Sequence, residues 1–199
     1  VLKHFRRRLD DFLSILDLSE AGAQPMRSEC GRFAVTFNGE IYNHLGIRDE
    51  LDACGAAPKW RGHSDTETLL YAVREWGLAA ALRRFSGMFA FAMWDEENRT
   101  LSLCRDRFGE KPLYYGWCGR DLVFASELKA LAAHPDWSPS LDRAALTAFM
   151  RYSYVPAPFS IWTGIRKLPS ASFVTFGAHA EPGSMPVPVQ YWSLREQVV

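Results

Sequence analysis

The amino-acid sequence predicts an α+β fold, with antiparallel sheets and helices packed outside them. Three observations point there. Strand-like and helix-like segments come in separate blocks, not in the strict β-α-β alternation of a parallel, doubly wound sheet. From Gly87 onward short apolar runs follow one another, each broken by a polar or glycine turn, as strands joined by tight connections do. The glycine pattern G-x-G-x-x-G of a dinucleotide-binding unit is absent.

Taken in order, residues 1–12 are charge-rich and lack periodicity, and Leu13 to Leu18 is an apolar run of strand length. Gly22 to Arg32 reads as loop. Phe33, Val35 and Phe37 alternate with smaller residues, the mark of a strand with one buried face. Asn38-Gly39 follows, then Ile41-Tyr42. An Asn-Gly step between β-prone runs predicts a tight hairpin turn, because both residues tolerate positive φ. Asn43 is placed to cap a helix running to about Cys54, with Leu45, Ile47, Leu51 and Cys54 on its apolar side and Gly55 at its end.

Ser64-Asp65-Thr66-Glu67 has the form of a capping box, Ser64 at the N-cap and Glu67 reaching back. Leu69, Leu70, Val73 and Trp76 continue it as an apolar stripe. A short helix is expected over Ala79 to Arg84. Met88 to Trp94 is almost continuously apolar and reads as a strand, with a polar turn over Asp95 to Arg99. Leu101 and Leu103, then Leu113, Tyr115 and Trp117, then Leu122 to Ala125 give further strands. Ser126 to Ala133 and Asp142 to Tyr152 read as helices opened by cap-type residues. The proline-rich tail leaves room for one more strand, Ser172 to Phe176.

Composition narrows the classes of function. Lys plus Arg and Asp plus Glu are equal at 23 each over 199 residues. That balance gives no electrostatic reason to expect nucleic acid or an anionic membrane as partner. No apolar run approaches the ~18 residues that span a bilayer, and the basic start Val1 to Arg8 lacks the apolar stretch of a secretory signal. Cysteines at 30, 54, 104 and 118 form no C-x-x-C pair, which argues against a zinc or redox motif and fits a reducing cytoplasm. Cys54 and Cys104 fall in apolar patterns and are expected in the core. Five scattered histidines suggest no site.

Three segments can carry chemistry. In Phe37-Asn38-Gly39-Glu40, an uncovered glycine N–H beside an asparagine amide offers two neutral donors for the oxyanion formed when an amide is attacked, with the Glu40 carboxylate adjacent. The plain alternative is a hairpin turn. Asp65, in the first turn of its helix, either complements the helix dipole or meets a substrate ammonium group. Arg105 to Tyr115 is dense in charge and reads by default as a solvated connection. No Ser-His-Asp signature, phosphate loop or metal-ligand spacing is present.

Together these segments resemble the class II glutamine amidotransferases. The resemblance is carried by Leu13 to Met26, Phe37-Asn-Gly-Glu-Ile-Tyr-Asn43, Ser64 to Glu67, Phe85 to Asp95, Arg105 to Tyr115 and Phe124-Ala-Ser-Glu-Leu-Lys-Ala-Leu131. Within that class, Tyr154-Val-Pro-Ala-Pro158, Gly164 to Pro169 and Tyr191-Trp-Ser193 resemble the asparagine synthetases.

The resemblance implies an N-terminal-nucleophile hydrolase fold, a four-layer αββα sandwich of two antiparallel sheets between helices, here without its N-terminal strand. It implies an amidotransferase domain over residues 13–176, an atypical segment 1–12 and a linker 177–199 toward a synthetase domain absent from the chain. It implies hydrolysis of glutamine, with the ammonia passing to that domain for amidation of aspartate. ATP and Mg²⁺ belong to that domain, and no cofactor is expected in this chain. Expected partners are glutamine, the synthetase domain and a second copy of the chain.

By motif, Asn38 and Gly39 form the oxyanion hole, while Glu40 and Asp65 bind glutamine, Asp65 through its α-ammonium. Two departures stand out. The family's nucleophile is an N-terminal cysteine whose own amine is the base; here residue 1 is Val, so the chain by itself is expected to be inactive. The family's arginine before Leu-Ser-Ile, which holds the substrate carboxylate, is Phe12 here, and Arg8 is the nearest substitute. A non-catalytic domain on the same fold and the glutaminase domain of another class II enzyme remain as alternatives.

Overall fold

The computed structural model describes residues 23–198. The expected strand at Leu13–Leu18, the segment 1–12, Val1, Arg8 and Phe12 lie outside the described residues.

Among the described residues, nine strands form two antiparallel sheets. The larger has the order β1-β2-β3-β4-β8-β9, from Met26–Arg27, Phe33–Ile41, Gly87–Asp95, Thr100–Arg105, Ser172–Gly177 and Val189–Gln190. The smaller has the order β6-β5-β7, from Asp121–Ala125, Tyr114–Cys118 and Ile165–Lys167. The alternation that marks each strand also explains the layers. Phe33, Val35, Phe37 and Ile41 of β2 and Phe89, Phe91 and Met93 of β3 project from one face of the large sheet into a core shared with the helices. Ala90 and Ala92 project from the other face and meet Leu113, Tyr115 and Leu168 from the small sheet's side. The unbroken apolar run of β3 thus reflects burial on both faces.

Helices α1 (His44–Ala53), α2 (Asp65–Trp76) and α3 (Leu78–Arg84) cover the first core, inserting Ile47, Leu51, Leu69, Leu70 and Leu82, all essentially inaccessible. Over the small sheet, α4 (Leu128–Leu131) packs on β6 and is shorter than the expected 126–133. Helix α5 (Arg143–Tyr152) opens as predicted on Asp142, whose carboxylate accepts from Ala144 and Ala145 N–H at 2.9 and 3.0 Å. In the tail, β9 pairs with β8, the buried Tyr191 donates to Arg105 C=O at 2.9 Å, and α6 (Leu194–Gln197) follows.

Several local expectations change. Asn38-Gly39 is not a turn: β2 runs through it, with Asn38 opposite Ala90 and Gly39 opposite Phe89. The reason lies in β3. Gly39 (φ +149°) and Gly87 (φ +159°) lie near each other across the pair, and a Cβ on either would come within 2.1 Å of a backbone oxygen of the facing strand. The two glycines let the strands pass closely where any side chain would force them apart.

Asn43 does not cap α1 with its side chain; it ties the start of α1 to the end of α3, donating to Arg84 C=O and accepting from Ser86 N–H. Ser64 does cap α2, through Thr66 N–H, but Glu67 turns away from the box and accepts from Arg61 and Gly62 N–H. Cys104 is buried as expected, whereas Cys54, at the end of α1, is exposed, as is Leu45.

Candidate functional site

The candidate site lies at the end of β2, where β1 has stopped. In an antiparallel strand, backbone groups at alternate positions point to opposite neighbours. The odd-numbered residues of β2 direct theirs to the β1 side, and their partners change along the strand. Phe33 N–H donates to Ser28 Oγ at 2.9 Å, and Val35 pairs with Met26. Phe37 is then held by a side chain: its N–H donates to Gln24 Oε1 at 2.6 Å, and its C=O accepts from Gln24 Nε2 at 2.9 Å. Ile41 N–H donates to Asp65 Oδ2 at 2.8 Å, and its C=O lies 3.0 Å from His44 Nδ1.

Gly39 has the same parity, and it sits between these two clamps. Across from it, Phe89 turns away, its N–H donating to Asp106 Oδ2 and its C=O accepting from Asp106 N–H. Gly39 N–H therefore points to the β1 side of the strand, where no hydrogen bond with another described residue takes it up.

Asn38 and Glu40 project from the other face, toward the small sheet. Asn38 Nδ2 donates to Ser126 Oγ at 3.0 Å, just beyond the end of β6. Glu40 is half-buried and forms no ion pair among the described residues.

Asp65 is 4% exposed, in the first turn of α2. Burial pushes its carboxyl above the usual carboxylate range; the Ile41 N–H bond and nearby His44 oppose this, and the Glu40 charge adds to it. A cation arriving at Asp65 would relieve both the burial and the repulsion.

The loop in front of Asp65 is fixed by a buried cation. Arg48 of α1 donates to Thr68 Oγ1 at 2.8 Å, Gly62 C=O at 3.0 Å and Ser64 C=O at 2.9 Å, and stacks 4.0 Å from the Trp60 ring centre. Its only ion-pair partner within 4 Å among the described residues is Glu67, at 3.7 Å, with Asp52 and Asp65 farther off. The sequence carries a usable signal for it: Arg48 stands between Ile47 and Leu51 on the buried side of α1, where a cation needs several acceptors.

The segment Arg105 to Tyr115 is not a solvated connection at its start. Arg105 and Asp106 are both buried. Arg105 donates to the carbonyls of Lys111, Leu168 and Gly109. Asp106 accepts from Phe89, Phe108, Glu110 and Lys111 N–H at 3.0–3.2 Å. These two residues shape the loop beside the site. Sequence reasoning missed Gln24, Arg48 and Asp106, and it quoted Ser126 without a role.

No group of three or more His, Cys, Asp or Glu side chains able to hold a metal is present among the described residues. No helix among them is long and apolar enough to cross a membrane. Of the four thiols, Cys104 is pushed well up by burial, the opposite of an activated nucleophile.

Comparison with known proteins decides the family. The profile described as "Glutamine amidotransferase domain" matches residues 6–192. The chain belongs to this family. Among its relatives, asparagine synthetase [glutamine-hydrolyzing] 1 of Bacillus subtilis is 35% identical over 194 residues, covering 94% of this chain and 30% of the relative. Asparagine synthetase [glutamine-hydrolyzing] 3 of the same organism is 36% identical over 167 residues, covering 82% of this chain and 26% of the relative. The amidotransferase chain thus spans less than a third of these relatives' length. Among solved structures, glutamine phosphoribosylpyrophosphate amidotransferase from B. subtilis aligns with a TM-score of 0.54 at 21% identity, over 83% of this chain and 32% of that one. The αββα amidotransferase fold is therefore shared.

Proposed function

We propose that this domain binds and hydrolyses glutamine as the ammonia-generating part of a longer asparagine synthetase, working in the cytoplasm. The remainder of that protein would use ATP and Mg²⁺ to activate aspartate and accept the ammonia. The observation that carries the reading is Gly39 N–H, turned to the β1 side of β2 between Gln24 and Asp65 and taken up by no described residue.

In this reading Gly39 N–H and Asn38 Nδ2 stabilise the oxygen that becomes negative when the side-chain amide of glutamine is attacked. A neutral donor fixed in a site closed to water acts where the charge develops and needs no reorganisation. Asp65, buried and carrying one hydrogen bond from Ile41, meets the α-ammonium, and Glu40 adds to the negative potential there. The loop tied down by Arg48 keeps Asp65 in place. The partner of the α-carboxylate, for which Arg8 is the candidate, falls outside the described residues.

In this reading the nucleophile is a cysteine beside a free α-amine, as the family resemblance implies. Acyl transfer from glutamine would form a thioester on that cysteine and release ammonia; water would then release glutamate. The test is ammonia release from glutamine by the full-length protein. Saturable release is expected, and its absence would overturn the reading. Asn38→Ala in the full-length protein is expected to lower turnover about 10²-fold, the usual loss for one oxyanion donor.

A further inference from the structure

We infer that Ser126 is a positioning residue for the oxyanion donor Asn38. This rests on the proposed role of Asn38 and goes beyond it, because it ties the donor's geometry to the second sheet. Asn38 projects from β2 between the sheets, opposite Ala90, whose methyl group leaves room for the amide but offers it no polar partner. Its hydrogen-bond partner is Ser126 Oγ at 3.0 Å, on a segment 88 residues away in sequence.

Ser126 is itself well anchored. The preceding residue, Ala125, is opposite Tyr114 in the β5–β6 hairpin, and α4 begins two residues later, at Leu128. Its hydroxyl is therefore held by the small sheet, not by a mobile loop tip.

The chemical need is specific. An asparagine side chain presents N–H on one side and a carbonyl oxygen on the other, and rotation about its last torsion is soft. An amide turned the wrong way would direct its oxygen at the oxyanion and repel it. A hydroxyl accepting one N–H proton, as Ser126 Oγ does here, holds the amide plane in place with its second N–H left for substrate. Ser126 touches neither substrate nor reacting atoms in this account. It acts through Asn38, and so links the amidotransferase chemistry on the large sheet to the packing of the small one.

The test uses glutamine-dependent ammonia release by the full-length protein, with four variants. Ser126→Ala is expected to lower kcat about 10-fold, less than loss of the donor itself, with the KM for glutamine little changed. Ser126→Thr, which keeps the hydroxyl, is expected to recover most of kcat. In the Asn38→Ala background, Ser126→Ala is expected to have no further effect, since the group it orients is gone. A purely structural role would predict the same added loss in both backgrounds and little rescue by Thr.

If Asn38→Ala loses activity but Ser126→Ala keeps full kcat, or if the two losses multiply, the positioning role is wrong and the oxyanion role stands. If Asn38→Ala itself keeps full activity, both fall. Should Ser126→Ala fold poorly, Ser126→Thr against Ser126→Val decides: both are β-branched and close in volume, and only the first accepts the amide proton.

Discussion

Two buried aspartates lie on either side of the β2–β3 pair, and they are used differently. Asp106 is wholly inaccessible, and its two oxygens accept four backbone N–H groups, from Phe89, Phe108, Glu110 and Lys111. Asp65 is almost as buried, at 4% exposed, yet among the described residues its carboxylate is held by fewer N–H groups, Ile41 N–H at 2.8 Å and, more weakly, Thr66 N–H. A saturated carboxylate is a structural part whose lone pairs are already spent on the chain. An unsaturated one, with its carboxyl pushed up by burial, is poised for a ligand that brings donors and positive charge. On the proposed function, the difference separates scaffold from site where burial alone does not.

Replacement of Asp106 should show the largest effect. Asp106→Ala strands four N–H groups, one fully and three partly buried, and it is expected to cost about 3–5 kcal/mol, given ~1–3 kcal/mol for each group not relieved by water. Chemical denaturation measures this, and a loss below about 1 kcal/mol would break the contrast. Gly39→Ala should come next, at about 1–3 kcal/mol for overpacking, because its Cβ would sit 2.1 Å from Met88 O and 2.6 Å from Phe89 Cα. Wild-type stability in that variant would mean the strands are further apart than described.

Asp65→Asn should cost less than about 1 kcal/mol, since the amide oxygen can still accept from Ile41 N–H. Its pH dependence sharpens the point. The folded-state pKa of Asp65 is raised, so the folded chain binds this proton more tightly than the unfolded one. Stability from this group is therefore fully present below the unfolded value of about 3.9 and lost as pH rises through the folded value. Wild type should thus lose stability relative to Asp65→Asn over that window. Melting temperatures of the two proteins across acidic pH measure it, and a difference that grows in the opposite sense would mean the carboxylate is already paired.

The sequence shows well what depends on neighbours along the chain. The alternation in Phe33-x-Val35-x-Phe37, the Ser64 and Asp142 caps and the unbroken run of β3 each need only a few adjacent residues, and each appears where local physics places it. What escapes is set by distant partners. Asn38-Gly39 has the local chemistry of a turn, but pairing with Ala90 and Phe89, some fifty residues on, keeps it in a strand. Arg105 and Asp106 look like surface charges until backbone groups of the following loop, of Leu168 and of Phe89 in β3 close on them. The short strands β7 and β9 exist through their partners β5 and β8. Of the candidate site, Asn38, Gly39, Glu40 and Asp65 are singled out only by family resemblance, whereas Gln24 and Ser126 make contacts that no spacing reveals.

The most direct test is the dependence of ammonia release on glutamine concentration, for the full-length protein and its Asp65→Asn variant. A charged hydrogen-bond partner is worth about 1.5–3 kcal/mol, so the KM should rise by roughly 10- to 100-fold while the folded fraction is unchanged. An unchanged KM would show that Asp65, like Asp106, serves only the fold.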